Sequence, residues 1–261
     1  MNDAQNHHAA GPQASGWGND ADYVRTVFSN LCRGDQWFQP HVERYVKTWE
    51  TLTALVPNIE EKTIVDTGDT SPFWTFLKSR QEQRGIFSSG LIICTGEQEL
   101  RVEYGDPLPG CPADSADVVT CLEVLEHMHD WDTTNPENRH QFTYSGMTRL
   151  LHACWHTLKP GGGMLLTTPN VHSSASFRRI AQGKCPYMYA PHVRELSEHE
   201  LRSLLQQCGF GIAMFTSHDV WNRHGMSDSE AQRCSIVPSF DSDVERGDDF
   251  FVWAVRPFAS K

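Results

Sequence analysis

Short apolar runs alternate with helical patterns between residues 60 and 255, and this most constrains the fold. The run Asp117–Leu122 (DVVTCL) is apolar on both faces. A strand tolerates that only in a sheet covered on both sides. Thr63-Ile64-Val65, Leu100–Tyr104, Met164–Thr168, Ile212–Phe215 and Phe250–Val255 read as further strands, and Ile86-Phe87 and Leu91–Cys94 are apolar runs split by Ser88-Ser89-Gly90. Phe73–Arg84, Tyr144–Leu158 and Ser197–Cys208 read as helices. The second is stopped by Lys159-Pro160-Gly161-Gly162. The third opens on a capping box, Ser197 with Glu200 three residues on, and stops at Gly209. This alternation predicts an α/β domain, a mostly parallel sheet with helices on both faces. No clear helix separates the last two strands, so that pair is expected to be antiparallel.

The 261 residues suit one large domain. Residues 1–20 are polar and small and are expected to form a flexible tail. Residues 21–58 carry Tyr45, Trp49, Leu52 and Val56 at helical spacing, with Pro40 at a helix start and Pro57 at its end. They predict an N-terminal helical extension to a domain over 59–261, with insertions at 131–143, 171–195 and 216–249. The net charge of −11 argues against a nucleic-acid partner, which needs a cationic footprint. Arg178, Arg179, Lys184 and Arg194 form the nearest basic cluster and read as a solvated face. None of the eight Cys pairs as C-x-x-C, and no secretory apolar core or membrane-spanning run is visible, so a cytoplasmic chain with free thiols is expected.

In an open α/β sheet, ligands sit at the carboxyl ends of the strands. After the first strand comes Asp66-Thr67-Gly68-Asp69-Thr70-Ser71-Pro72, a turn with one glycine leading into a helix N-terminus. A plain strand-to-helix turn would read the same way. After Leu100–Tyr104 come Gly105 and Asp106. The strand DVVTCL is followed by Glu123-Val124-Leu125-Glu126-His127-Met128-His129. Glu123, Glu126 and His127, at i, i+3 and i+4, share one face if the segment forms a helical turn. Such a set can hold a divalent ion or act as an acid–base pair, and it also fits capping carboxylates with a surface histidine. The strand ending in Pro169-Asn170 leads into a long polar segment up to His192-Val193-Arg194-Glu195. A loop that long reads as a lid over an acceptor.

Taken in order, IVDTG, GDPLP, ADSADVVTCLEVLEHMHD, LLHACWHTLKPGGGMLLTTPN and HVRELSEHELRSLLQQCGF resemble the class I S-adenosylmethionine-dependent methyltransferases. The closest branch is that of sugar and quinone O-methyltransferases. The resemblance covers residues 60–215 and implies a Rossmann-like seven-stranded sheet with an antiparallel last strand. It implies S-adenosylmethionine held by Asp66, Gly68, Asp69, Thr70, Asp106, Leu108, Leu122 and Glu123. It further implies His127, His129 and Glu126 as catalytic candidates. In relatives with Glu-x-x-Glu-His and a distant His, the matching residues Glu123, Glu126, His127 and His192 imply bound Mg²⁺ or Mn²⁺. The implied acceptor is a small molecule or glycan.

Two departures from the family pattern stand out. Thr70 and Pro72 replace glycines of the cofactor loop, and Gly85–Gly90 offers no carboxylate for the ribose, with Glu97 and Glu99 the nearest substitutes. They motivate an alternative reading as a catalytically inactive methyltransferase-like scaffold. The absence of G-x-G-x-x-G argues against a nicotinamide dehydrogenase.

Overall fold

The computed structural model describes residues 21–68, 72–83, 105–130, 144–189, 191–221 and 247–258. The predicted strand and apolar runs between 86 and 104, residues 1–20 and most of the 131–143 and 216–249 insertions lie outside the described residues. Five strands are described: β1 (Ile64–Asp66), β2 (Ala116–Leu122), β3 (Leu158–Pro169), β4 (Gly211–His218) and β5 (Asp249–Val255). They run in the order β1-β2-β3-β5-β4. The first three are mutually parallel, and β5 is antiparallel to both β3 and β4, as expected from the polar, irregular sequence that joins the last two strands. The mixed α/β class is as expected, and the seven-stranded count extends beyond the described residues.

Among the described residues six α-helices accompany them: α1 (Ala21–Leu31), α2 (Val42–Leu55), α3 (Pro72–Gln83), α4 (Ser145–Thr157), α5 (Ser174–Ala181) and α6 (Glu198–Gln207). The capping box at α6 is present with both reciprocal bonds. Strand β3 begins six residues earlier than expected, because Leu158 pairs with Ala116 directly after α4. Lys159–Gly162 are therefore strand residues rather than a loop. Gly163 lies under Trp253, whose ring atoms would stand 2.1 Å from a Cβ there, so a side chain at 163 would displace the indole.

The two sheet faces carry separate cores. On one, α4 and α6 pack Leu150, Leu151, Leu201 and Leu205 against Val119, Cys121, Leu166 and Val252. On the other, α1, α2 and α3 pack Phe28, Tyr45, Trp49, Phe73 and Phe76 over Ile64, Val118 and Leu165. The N-terminal helices thus supply half of the covering that the doubly apolar β2 requires. Phe28 sits at the centre of this face, 4.8 Å from Phe76, 5.3 Å from Tyr45 and 5.9 Å from Phe73 between ring centroids.

Chemical denaturation is expected to show Phe28→Ala losing roughly 3–5 kcal/mol, as for a buried aromatic truncated to leave a cavity. Glu43→Ala breaks a half-exposed pair with Arg25 (2.8 Å) and is expected to change stability by less than about 0.5 kcal/mol.

Candidate active site

A cavity of about 630 Å³ opens where β1 and β2 end. That volume lies within the usual range of ligand sites, about 300–1,000 Å³. Its floor is Asp66, Gly68, Leu122 and Glu123; its walls come from the α1–α2 connection, from α2 and from the segment after α5. Asp66 is fully buried and accepts the Gly68 N–H through Oδ1 at 3.1 Å. Glu123 holds a left-handed backbone (φ 57°) and accepts from Thr167 Oγ1 at 2.8 Å. Few non-glycine residues take that conformation, and such positions cluster at functional sites.

Glu126 follows on a short 3₁₀ turn, Leu125–His127, and is wholly buried. Its Oε2 accepts from Thr168 Oγ1 at 2.9 Å. Its Oε1 has no hydrogen-bond partner and lies 3.9 Å from His127 Nε2 and 4.0 Å from His192 Nε2. One ligand atom from each of Glu126, His127 and His192 falls within 4.8 Å of the others. His192 Nδ1 lies 2.6 Å from Glu195 Oε1, which also accepts the Met188 N–H. In the tautomer that donates from Nδ1 to Glu195, His192 directs its Nε2 lone pair at Glu126. A carboxylate behind an imidazole nitrogen holds the ring in one orientation. One carboxylate oxygen and two imidazole nitrogens therefore converge, an arrangement that can hold a cation or share a proton.

Local electrostatics sharpen this. Burial, then the charges of Glu123 and Glu195, pushes the Glu126 carboxyl well above the usual carboxylate range. Burial, then His192 and His129, lowers His127 to about 4, so its imidazole is neutral near pH 7. The cation of the site is Arg44, 3% exposed on α2. Burial works against its charge, and Glu123, Asp249 and Glu126 outweigh that and raise its pKa. Arg44 Nη2 contacts His41 Nδ1 at 2.9 Å, while Nε and Nη1 are buried without partners on a residue that lines the cavity.

Of the sequence candidates, Asp66, Gly68, Leu122, Glu123, Glu126, His127 and His192 line one cavity. Several others are placed elsewhere. Asp106 is exposed and does not line it. Leu108 is sealed in the core with its N–H on Thr157 Oγ1 and presents no surface to a ligand. His129 is exposed outside the cavity, its backbone pressed against Gly146, where a Cβ would stand 2.0 Å from the His129 carbonyl oxygen. Glu123 does not join the three clustered ligand atoms and is engaged by Thr167 instead. Asp69 and Thr70 lie outside the described residues.

Sequence reading placed Tyr189 on the lid over the acceptor and missed Arg44, His41, Glu195 and Trp221. The signal for Arg44 was present: Arg44, Thr48 and Leu52 repeat every four residues along the buried face of α2, where an arginine is out of place. Glu195 stands three residues after His192, but only the fold of that loop sets it behind the imidazole.

The profile of the "Methyltransferase domain" family matches residues 37–213, and the chain belongs to that family. A curated S-adenosylmethionine-dependent methyltransferase of Mycolicibacterium smegmatis is 30% identical over 133 residues, 48% of this chain; the matched stretch spans 42% of that relative's length. The Haloferax volcanii methyltransferase solved with its Trm112 activator shares the fold at TM-score 0.50, with 16% identity, covering 91% of this chain and 99% of that one. An S-adenosylmethionine-dependent methyltransferase of Archaeoglobus fulgidus is similar at TM-score 0.49 and 16% identity, covering 85% and 100%.

The buried Asp66 carboxyl, pushed up to about 6 chiefly by desolvation, gives a signature of the ligand-free site. A carboxyl whose pKa rises on folding stabilises the protein fully below its unfolded value, near 4, and loses that contribution as pH rises through about 6. Asp66→Asn is therefore expected to gain about 1–3 kcal/mol relative to the parent between pH 4 and 7. Urea unfolding across that range measures it, and parallel pH profiles would contradict it.

Proposed function

We propose that this protein is an S-adenosylmethionine-dependent methyltransferase that methylates a hydroxyl oxygen of a small molecule or glycan. The observation that carries this is the convergence of Glu126, His127 and His192 on the wall of the cavity floored by Asp66, Gly68 and Leu122. The residues present fit the cofactor. The two unpartnered Arg44 nitrogens suit its carboxylate, and Asp66 and Glu123 suit its cationic ammonium and sulfonium groups. When bound, it supplies an electrophilic methyl group on sulfur.

The chain's own part is to place and activate the acceptor. Neutral His127 and the lone pair of His192 can accept the hydroxyl proton. Glu126 and the two imidazoles also match the oxygen and nitrogen ligands of Mg²⁺ or Mn²⁺. An ion held by these three residues would favour the alkoxide form of the acceptor.

Rings line the way in. Trp37, 55% exposed, meets Tyr189 at 5.4 Å; Tyr189 meets His192 at 5.4 Å; and His192 meets His127 at 4.8 Å. Flat faces in this sequence suit an acceptor ring, whether sugar or aromatic, whose hydroxyl reaches Glu126.

A thermal shift with S-adenosylhomocysteine tests the cofactor step. Ligand at 100 times its dissociation constant is expected to add about 2.7 kcal/mol, and Arg44→Met to abolish most of it. No shift in the parent protein at millimolar ligand would favour the inactive-scaffold reading.

Methyl transfer from labelled cofactor, assayed over a panel of hydroxylated acceptors, tests the chemistry. Trp37→Ala is expected to raise KM about tenfold with little change in kcat, as for lost ring binding worth roughly 1.4 kcal/mol. Glu126→Gln is expected to lower kcat at least 100-fold. Loss of activity in chelator that Mn²⁺ restores would establish the metal, and full activity in chelator would remove it.

A further inference from the structure

All 33 Asp and Glu lie outside residues 138–194, while that stretch carries seven Lys and Arg in a chain of net charge −11. Three of these cations, Arg178, Arg179 and Lys184, sit on or just after α5. Among the described residues no carboxylate pairs with any of the three: Lys184 is exposed, Arg179 is half-buried and donates to the Cys185 carbonyl at 2.8 Å, and Arg178 is half-buried with its Nη2 enclosed.

The same short helix turns apolar side chains outward. Phe177 (36% exposed, stacked on His172) and Ile180 (53%) stand three residues apart on one face. Residues 180–185 are exposed in an unbroken run. Burial of apolar surface therefore does not explain α5, whose N-terminus is held by the Ser173 cap instead. Its base is anchored: Val171 N–H bonds to Leu196, and Val193 and Arg194 N–H both bond to the Glu126 carbonyl.

The chain leaving α5 passes straight to the cavity wall at Met188, Tyr189, Pro191 and His192. Tyr189 (38% exposed) and Trp37 (55%) stand at the cavity edge. Apolar side chains and cations at the tip of an anchored segment are what a peripheral membrane element needs: the apolar pair enters the acyl boundary and the cations meet anionic headgroups. No helix among the described residues is long and apolar enough to cross a membrane.

We infer that α5 and the turn after it, through Phe177, Ile180, Arg178, Arg179 and Lys184, form a docking element for an anionic lipid surface beside the mouth of the cavity. Charge complementarity decides the occupant. The rest of the molecule is acidic and would be repelled by such a surface, so it orients with this element down. The inference concerns where the protein works and does not depend on the chemistry proposed for Glu126 and the two histidines. It would let an amphiphilic acceptor enter the cavity from the headgroup layer.

The test is co-sedimentation of the full chain with phosphatidylcholine vesicles, with and without phosphatidylglycerol. Binding is expected only when the anionic lipid is present and is expected to weaken steeply with salt. Arg178→Glu with Arg179→Glu is expected to weaken it at least tenfold, since each cation near the surface contributes about five-fold. Ile180→Asp is expected to abolish it, and Phe258→Asp, at an exposed residue far along the chain, to leave it intact. Circular dichroism melts confirm that each variant is folded; should Ile180→Asp unfold, Lys184→Glu gives the same reading. Equal binding to both vesicle types, or binding that survives the α5 substitutions, would overturn the inference. So would absence of vesicle binding with α5-dependent retention on a polyglutamate resin, which would point to an acidic protein partner instead.

Discussion

Burial of Glu126 organises the functional end of this protein. Its carbonyl oxygen accepts from Val193 and Arg194, its Oε2 accepts from Thr168, and its Oε1 faces His127 and His192. One residue thus joins the turn after β2, the end of β3 and the return of the long loop. A carboxylate taken out of water costs several kcal/mol unless its oxygens are matched by donors or a cation. Here one oxygen is matched and the other is left facing two imidazoles. That imbalance is the strongest structural sign that a cation, a proton or a substrate completes the site.

Arg44 is the counterpart of Glu126. It brings a guanidinium from the N-terminal helices into a pocket bounded by Asp66, Glu123 and Glu126. Buried charges of this kind are poor investments in stability, because apolar residues of similar volume often do as well. Their placement is better explained by ligand binding, since donors and acceptors fixed in advance need not reorganise when charge develops. The N-terminal helices therefore close the core over β1 and β2 and also deliver the pocket's cation.

The long loop between β3 and α6 has two parts with opposite physics. Its ends are locked by the Asn170–Leu196 bridge, the Glu126 carbonyl and the Glu195–His192 pair. Its middle, α5 and the following turn, carries exposed apolar and cationic side chains. A loop fixed at its base can present its tip to a partner without disturbing the histidine it also supplies.

The sequence by itself determined what local burial and local hydrogen bonding can write. DVVTCL declares a strand covered on both faces, Ser197 and Glu200 declare the start of α6, and the lack of a helical pattern in the sequence before β5 declares an antiparallel end. The run Glu-Val-Leu-Glu-His put Glu126 and His127 at a strand end, and the distant His192 was legible only by family resemblance. The tertiary structure alone decided that β3 starts at Leu158, because pairing to Ala116 extends it past where its apolar run begins. It alone separated His129 and Leu108 from the cavity and brought in Arg44 and Glu195. The reason is that periodicity reports which side of an element faces the core. Which side chains from different elements meet there depends on loop paths that no local pattern records.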